Sequence, residues 1–287
     1  MPPTERSLTL ATGLRLHILE AGPADGPLCV LLHGFPESSY GWRHQIGPLA
    51  AAGLRVVAPD QRGYGRSDKP RGVGAYRIDR LAGDVVGLLD VLGAPRAYVV
   101  AHDWGGAVAW YLAAAHPERV ERLVILNVPH PVVMRRHLLS DRAQLRRSWY
   151  MFFFQLPWLP EWWLRRDDWR NLKRLFRGSS RRGTFGDDEL ARYAEDCARP
   201  GAMRSMIHWY RAALLRPAPR PASWRVRVST RIVWGARDVA LGRDMVAPSA
   251  ALCQPQADVA WIEEAGHWVQ HEEPQRVNTL ILEHLLG

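Results

Sequence analysis

The run VVAHDWGGAVAW, residues 99–110, carries an apolar β-branched stretch into two adjacent glycines and an alanine-rich segment. Val99–Ala101 has the composition of a buried strand. Gly105 to His116 reads as a small-residue helix closed by Pro117. The chain must therefore leave a sheet and enter a helix within a tight turn. A strand that feeds directly into a helix belongs to a crossover, and crossovers build parallel sheets covered by helices. Asp103 stands at that turn. Backbone N–H groups at a helix start lack partners and carry partial positive charge, which favours an ionised carboxylate there. A capping aspartate without chemistry would use the same features. The rest of the chain has to separate the two.

Strand patterns recur on both sides of this turn. They occur around Ser7–Leu10 and Leu14–Leu19, then in PLCVLL (27–32), LRVVAP (54–59), RAYVVA (96–101) and RLVILNV (122–128). Apolar strands separated by helical segments predict a mostly parallel sheet. The alternation stops after Pro129-His130-Pro131. From there to about Arg220 the sequence offers helical segments rich in Arg, Trp and Phe, including SWYMFFFQLPWLPEWW. Six of the thirteen tryptophans lie here, which favours an apolar ligand for whatever this part encloses. RPAPRPAS (216–223) reads as a connector, and strands resume with TRIVWG (230–235) and DVAWIEE (258–264) before a last helix at about Pro274–Leu286. The expected organisation is a sheet domain in two parts, 1–130 and 221–287, interrupted by a helical insertion at 131–220.

The net charge of +9 in 287 residues is concentrated in that insertion. Residues 132–220 hold 19 Lys and Arg against 9 Asp and Glu, so the remainder is close to neutral. This reads as an arginine-rich solvated helical surface, with attraction of an acidic partner or anionic substrate left open. No nucleic-acid motif accompanies the charge, and a nucleic-acid partner is not expected. No apolar run has the length of a membrane span, and the N-terminal residues lack a signal-peptide pattern, so the expected location is cytoplasmic. Cys29, Cys197 and Cys253 are an odd number without motif spacing; neither a disulfide framework nor a metal site is expected. A homodimer is compatible with the sequence.

The turn resembles the nucleophile elbow of the α/β hydrolases, read here as Ala101, His102, Asp103, Trp104, Gly105, with Asp103 where a serine commonly stands. A carboxylate attacking an sp³ carbon with a leaving group gives an alkyl ester that activated water then hydrolyses. In that fold the acid and the histidine follow the nucleophile in chain order. WGARDVALG places Asp238 beyond one strand, and EEAGHWVQHEEP places His267 beyond the next. Asn127, at another strand end, cannot ionise, which favours Asp238 as the acid. LLHGFPES should set the Phe35 N–H opposite that of Trp104 as an oxyanion hole. His33 reads as a loop brace and His271 as a surface residue.

HGFPESSYGWRHQI, DQRGYGRSDKP, HDWGG, WGARD and GHWVQHEEP together resemble the α/β-hydrolase-fold epoxide hydrolases over nearly the whole chain. The resemblance implies an α/β-hydrolase fold with a helical cap and conversion of an apolar epoxide and water to a vicinal diol. It implies no cofactor and no metal. Two cap tyrosines that hydrogen-bond the epoxide oxygen in that family correspond to Tyr150 in SWYMFFFQ and Tyr210 in HWYR. Single motifs are shared with haloalkane and fluoroacetate dehalogenases. Trp104 stands where fluoroacetate dehalogenases carry arginine, and Phe35 where haloalkane dehalogenases carry Glu or Asn. A haloalkane dehalogenase and a non-catalytic ligand-binding homologue are the alternative readings.

Overall fold

The computed structural model describes residues 3–287. Eight strands form one sheet: β1 (Thr4–Thr9), β2 (Arg15–Ala21), β3 (Leu28–Leu32), β4 (Arg55–Pro59), β5 (Ala97–His102), β6 (Val120–Leu126), β7 (Ser229–Gly235) and β8 (Asp258–Ile262). Their spatial order is β1-β2-β4-β3-β5-β6-β7-β8, antiparallel at β1–β2 and β2–β4 and parallel from β4 to β8. β1 starts earlier than its apolar pattern suggested, because Thr4, Glu5 and Arg6 pair with β2 while facing solvent. β8 stops at Ile262, before Glu263 and Glu264, which are exposed.

Helices α1 (Ile46–Ala51), α2 (Ile78–Val91) and α3 (Asp103–Ala115) alternate with the first strands. Six more fill the segment between β6 and β7: α4 (Pro131–Ser140), α5 (Arg142–Arg147), α6 (Trp149–Phe153), α7 (Leu159–Ser179), α8 (Asp187–Ala198) and α9 (Ala202–Leu215). α10 (Val246–Ala250), α11 (Val269–Glu272) and α12 (Pro274–Leu286) complete the chain. Alternate residues of the parallel strands enter opposite cores. Val30, Leu32, Val99 and Ile125 face one apolar layer; Cys29, Leu31, Val100 and Val124 face the other. Each such aliphatic side chain contributes roughly 1.5–3 kcal/mol on burial. That two-sided burial is why these strands read as continuous apolar runs.

The insertion is fastened to loops at the C-terminal ends of the strands. Trp209 Nε1 donates to the Arg62 carbonyl (3.1 Å), and Ser38 Oγ donates to Asp196 Oδ2 (2.8 Å). The α9 face carrying Met203, Met206, Ile207 and Tyr210 is buried. α7 is not continuous: residues 166–169 leave helical geometry, and Asp167, Asp168 and Trp169 have positive φ. The tryptophans of this segment do not all turn inward. Trp209 is buried and Trp163 and Trp169 are half-buried, but Trp149, Trp158 and Trp162 are exposed. Aromatic content alone therefore overstated how much ring surface the insertion encloses.

Candidate active site

The helix after β5 begins at Asp103 itself, two residues before the glycines that seemed to open it. Asp103 has φ 48°, a left-handed conformation costly for a residue with a Cβ. The surroundings enforce it. A Cβ on Gly105 would lie 2.1 Å from the Leu32 carbonyl oxygen, so only glycine lets α3 start so close to β3. Gly34 is similarly required: a Cβ there would meet the Asp103 Cβ at 2.5 Å. The loop after β3 is thereby pressed against the elbow, and the Phe35 N–H donates to Asp103 Oδ1 at 2.8 Å. His33 braces this loop, with Nδ1–H donating to the Gly34 carbonyl (3.0 Å) and Nε2 accepting from the Gln61 N–H (3.1 Å).

His267 and Asp238 arrive from the loops after β8 and β7. His267 Nδ1–H donates to Asp238 Oδ2 at 2.9 Å, and His267 Nε2 faces Asp103 Oδ2 at 3.8 Å. Asp238 accepts four hydrogen bonds. His267 and Asn127 Nδ2 (2.8 Å) reach Oδ2; the N–H groups of Ala240 (2.8 Å) and Leu241 (2.9 Å) reach Oδ1. Burial alone would raise the Asp238 pKa, but His267, Asn127 and the backbone donors hold it below the ordinary value. For His267, burial opposes the charged form, and the carboxylates of Asp238 and Asp103 outweigh it, lifting the pKa to about 9. Asn127 thus has a positive part in the site that its inability to ionise concealed. It also sits at φ 44° and accepts from the Gly235 N–H (2.8 Å), tying β6 to β7 behind the acid.

Tyr150 and Tyr210 meet above the elbow, their rings 5.9 Å apart and nearly perpendicular at 83°. The Tyr210 ring packs edge-on against Phe35 (5.2 Å) and Trp104 (4.9 Å). Both phenols are pushed well above the ordinary tyrosine value, first by burial and then by the Asp103 carboxylate. At neutral pH each is an O–H donor. All seven residues expected at the site — Asp103, Asp238, His267, Tyr150, Tyr210, Phe35 and Trp104 — converge at the C-terminal ends of the strands, where open α/β sheets bind ligands.

A second polar cluster behind the site was not anticipated. Buried Glu37 accepts from His271 Nε2–H (2.7 Å), Tyr193 Oη–H (3.0 Å) and Gln270 Nε2 (3.4 Å). His102 Nε2–H donates to the His267 carbonyl (2.9 Å), so its Nδ1 accepts from Gln270 Nε2 (3.1 Å). Burial disfavours the Glu37 anion, yet its pairing with His271 holds its pKa well below the usual carboxylate range. Burial pushes His271 down to about 4, leaving a neutral imidazole whose N–H serves Glu37. His271 is buried, and the surface placement is corrected. The polar string QHEE misled because each residue is paired inside: Gln270 with His102, His271 with Glu37, and Glu272 with the Gly266 and Arg181 N–H groups. Glu37→Ala strands several buried donors and is expected to cost about 3 kcal/mol or more. Urea denaturation measures it; an unshifted midpoint would mean the cluster contributes nothing to folding.

A sharp elbow after β5, with an acid and a histidine after β7 and β8, defines an α/β hydrolase, and residues 27–274 match the family model described as the alpha/beta hydrolase fold. The chain is 45% identical over 273 residues to the AB hydrolase superfamily protein YfhM of Bacillus subtilis, covering 95% of each. It is 34% identical to epoxide hydrolase A of Mycobacterium tuberculosis, over 99% of this chain and 98% of that one. The crystal structure of a Bacillus megaterium epoxide hydrolase with an inhibitor matches at TM-score 0.89 and 30% identity, covering 98% of this chain and 100% of that one. The chain belongs to the epoxide hydrolases of the α/β-hydrolase fold.

Proposed function

We propose that the protein opens an apolar epoxide by attack of Asp103 on a ring carbon, then hydrolyses the resulting ester to a vicinal diol. The observation that carries this reading is the meeting of two phenols, Tyr150 and Tyr210, with a carboxylate elbow faced by His267. Asp103 Oδ1 is held by the Phe35 N–H, so Oδ2 is the free nucleophile and Oδ1 becomes the ester carbonyl. Attack forms the Oδ2–C bond and breaks the C–O bond of the ring. The developing alkoxide takes a proton from one phenol while the other donates a hydrogen bond.

Ester formation then resets the electrostatics. The Asp103 anion helps keep His267 protonated and both phenols weakly acidic. Alkylation removes that charge. As that charge is consumed during ring opening the phenols become better acids, and afterwards His267 releases its proton more readily, restoring through solvent the phenol that protonated the alkoxide. Neutral His267 Nε2 takes a proton from water as the water oxygen attacks the Asp103 carboxyl carbon. Oδ1 becomes an oxyanion facing the N–H groups of Phe35 and Trp104. Collapse breaks the Cγ–Oδ2 bond of the tetrahedral intermediate, the departing oxygen takes the proton from His267 to give the diol, and the proton left on the new Asp103 carboxyl passes to His267. Asp238 holds the imidazole tautomer and stabilises its charged form.

Exchange of either tyrosine for phenylalanine removes one donor to the alkoxide, a loss of roughly 10²–10³ in ring-opening rate, moderated where the other phenol compensates. The Tyr150→Phe, Tyr210→Phe double variant is expected to lose nearly all ester formation with little change in stability, since packing volume is kept. Rapid-quench single turnovers with an aryl epoxide test this. A double variant that opens epoxides at the wild-type rate, or that liberates chloride from alkyl chlorides instead, would transfer the site to dehalogenation.

A further inference from the structure

Several large apolar side chains lie uncovered in one stretch of the insertion: Trp149 and Phe152 on α6, Leu156 in the loop after it, and Trp158 and Trp162 at the start of α7. Trp158 is 74% exposed. The Trp149 ring is 5.9 Å from Phe153, which is 5.7 Å from Trp163, so α6 and α7 form one continuous aromatic surface. Monomers rarely leave such a cluster bare unless something binds it.

The same stretch is strongly cationic. Residues 142–177 hold nine Lys and Arg against three Asp and Glu. Those three carboxylates are already engaged: Glu161 with Arg211, Asp167 with Arg166 and Arg170, and Asp168 with Lys173. The Arg166 guanidinium lies 5.3 Å over the exposed Trp162 ring. Beside Trp158 a cavity of about 540 Å³ opens between α7 and α9, lined by Arg165, Arg204 and Gln155. Neither Arg165 nor Arg204 has a carboxylate partner among the described residues, and Gln155 Oε1 is buried without a donor.

We propose that this face docks on an anionic lipid bilayer. Trp158 and Trp162 enter the boundary between headgroups and acyl chains, where amphipathic indole rings are favoured, and Arg165 and Arg204 meet lipid phosphate. Among the described residues no helix is long and apolar enough to cross a membrane, so the contact is peripheral. Charge decides against a second copy of the chain. Apposing two insertions would set one surplus of ten positive charges against another, a like-charge juxtaposition that suppresses association.

The experiment is vesicle flotation of the whole chain. Vesicles of phosphatidylcholine alone are compared with vesicles also containing phosphatidylglycerol, at low and high salt. Partition onto the anionic vesicles is expected to exceed that onto neutral ones at least about tenfold at low salt and to fall at high salt. Arg165→Gln with Arg204→Gln should weaken it about fivefold per guanidinium removed. Trp158→Ala with Trp162→Ala should abolish it. In both variants the melting temperature and turnover of a water-soluble epoxide should be retained, which reads folding and chemistry apart from docking. Absence of partition onto anionic vesicles, or equal partition onto neutral ones, overturns the proposal. So does a dimer in sedimentation velocity that the tryptophan changes dissolve, which would give the surface to a second copy.

Discussion

Asp103→Ala is expected to form no detectable diol, a loss of at least about 10⁴ in kcat, because the other carboxylate of the site, Asp238, has both oxygens tied up by His267, Asn127 and two backbone N–H groups, and the two phenols stay protonated. The fold should survive. The Phe35 N–H loses its carboxylate acceptor, but the loops after β3 and β5 stay locked by the approach of Gly105 to Leu32 and by the bonds of His33. The same variant reports on electrostatics. The Asp103 anion is one cause of the raised His267 pKa of about 9, so removing it should shift the histidine's titration downward, as NMR of labelled histidine would show. Diol production near the wild-type rate would take Asp103 out of the chemistry, and an unmoved His267 titration would take it out of the electrostatics.

His267→Gln should separate the half-reactions. Attack by Asp103 needs no base, so ring opening continues. Hydrolysis of the ester slows by orders of magnitude, and the protein accumulates at its own mass plus one substrate. Intact-mass spectrometry after brief mixing checks this; neither adduct nor burst would end the two-step scheme. A stability measurement gives an independent check on the site. The folded His267 pKa of about 9 exceeds the ordinary 6.5, so the bound proton stabilises the native state in full below pH 6.5. That contribution fades as pH rises toward 9. The glutamine variant lacks it, and the stability gap between wild type and variant should narrow across that window.

The parts of this protein that were legible beforehand are those whose information is local. The elbow needs only a strand, a turn and a helix within a dozen residues, and the glycines that permit it are written beside it. Asp238 and His267 follow because each sits just past an apolar strand, and strand ends in a parallel sheet share one edge. Glu37 was illegible for the opposite reason. Its partners Tyr193 and His271 lie 156 and 234 residues away, and a paired buried glutamate has the same letter as a solvated one. Asn127 shows a subtler failure. Its chemistry was read correctly as uncharged, but a donor to Asp238 needs no charge. The break at 166–169 in α7 also escaped, since RRDDW contains no glycine or proline to announce it.

Both ends of the insertion join the sheet at one junction, between β6 and β7. The elbow, the histidine and its acid are all built outside that interval, whereas Tyr150 and Tyr210 are built inside it. Under the proposed chemistry the chain thus divides its two steps between separately heritable pieces: ring opening is assisted from the insertion, and ester hydrolysis is run from the sheet. Grafting the 131–220 segment of a relative into this framework would exchange the choice of epoxide, its attacked carbon and its handedness, and leave deacylation as it was. Selection can then retune what the enzyme accepts without touching how it regenerates itself.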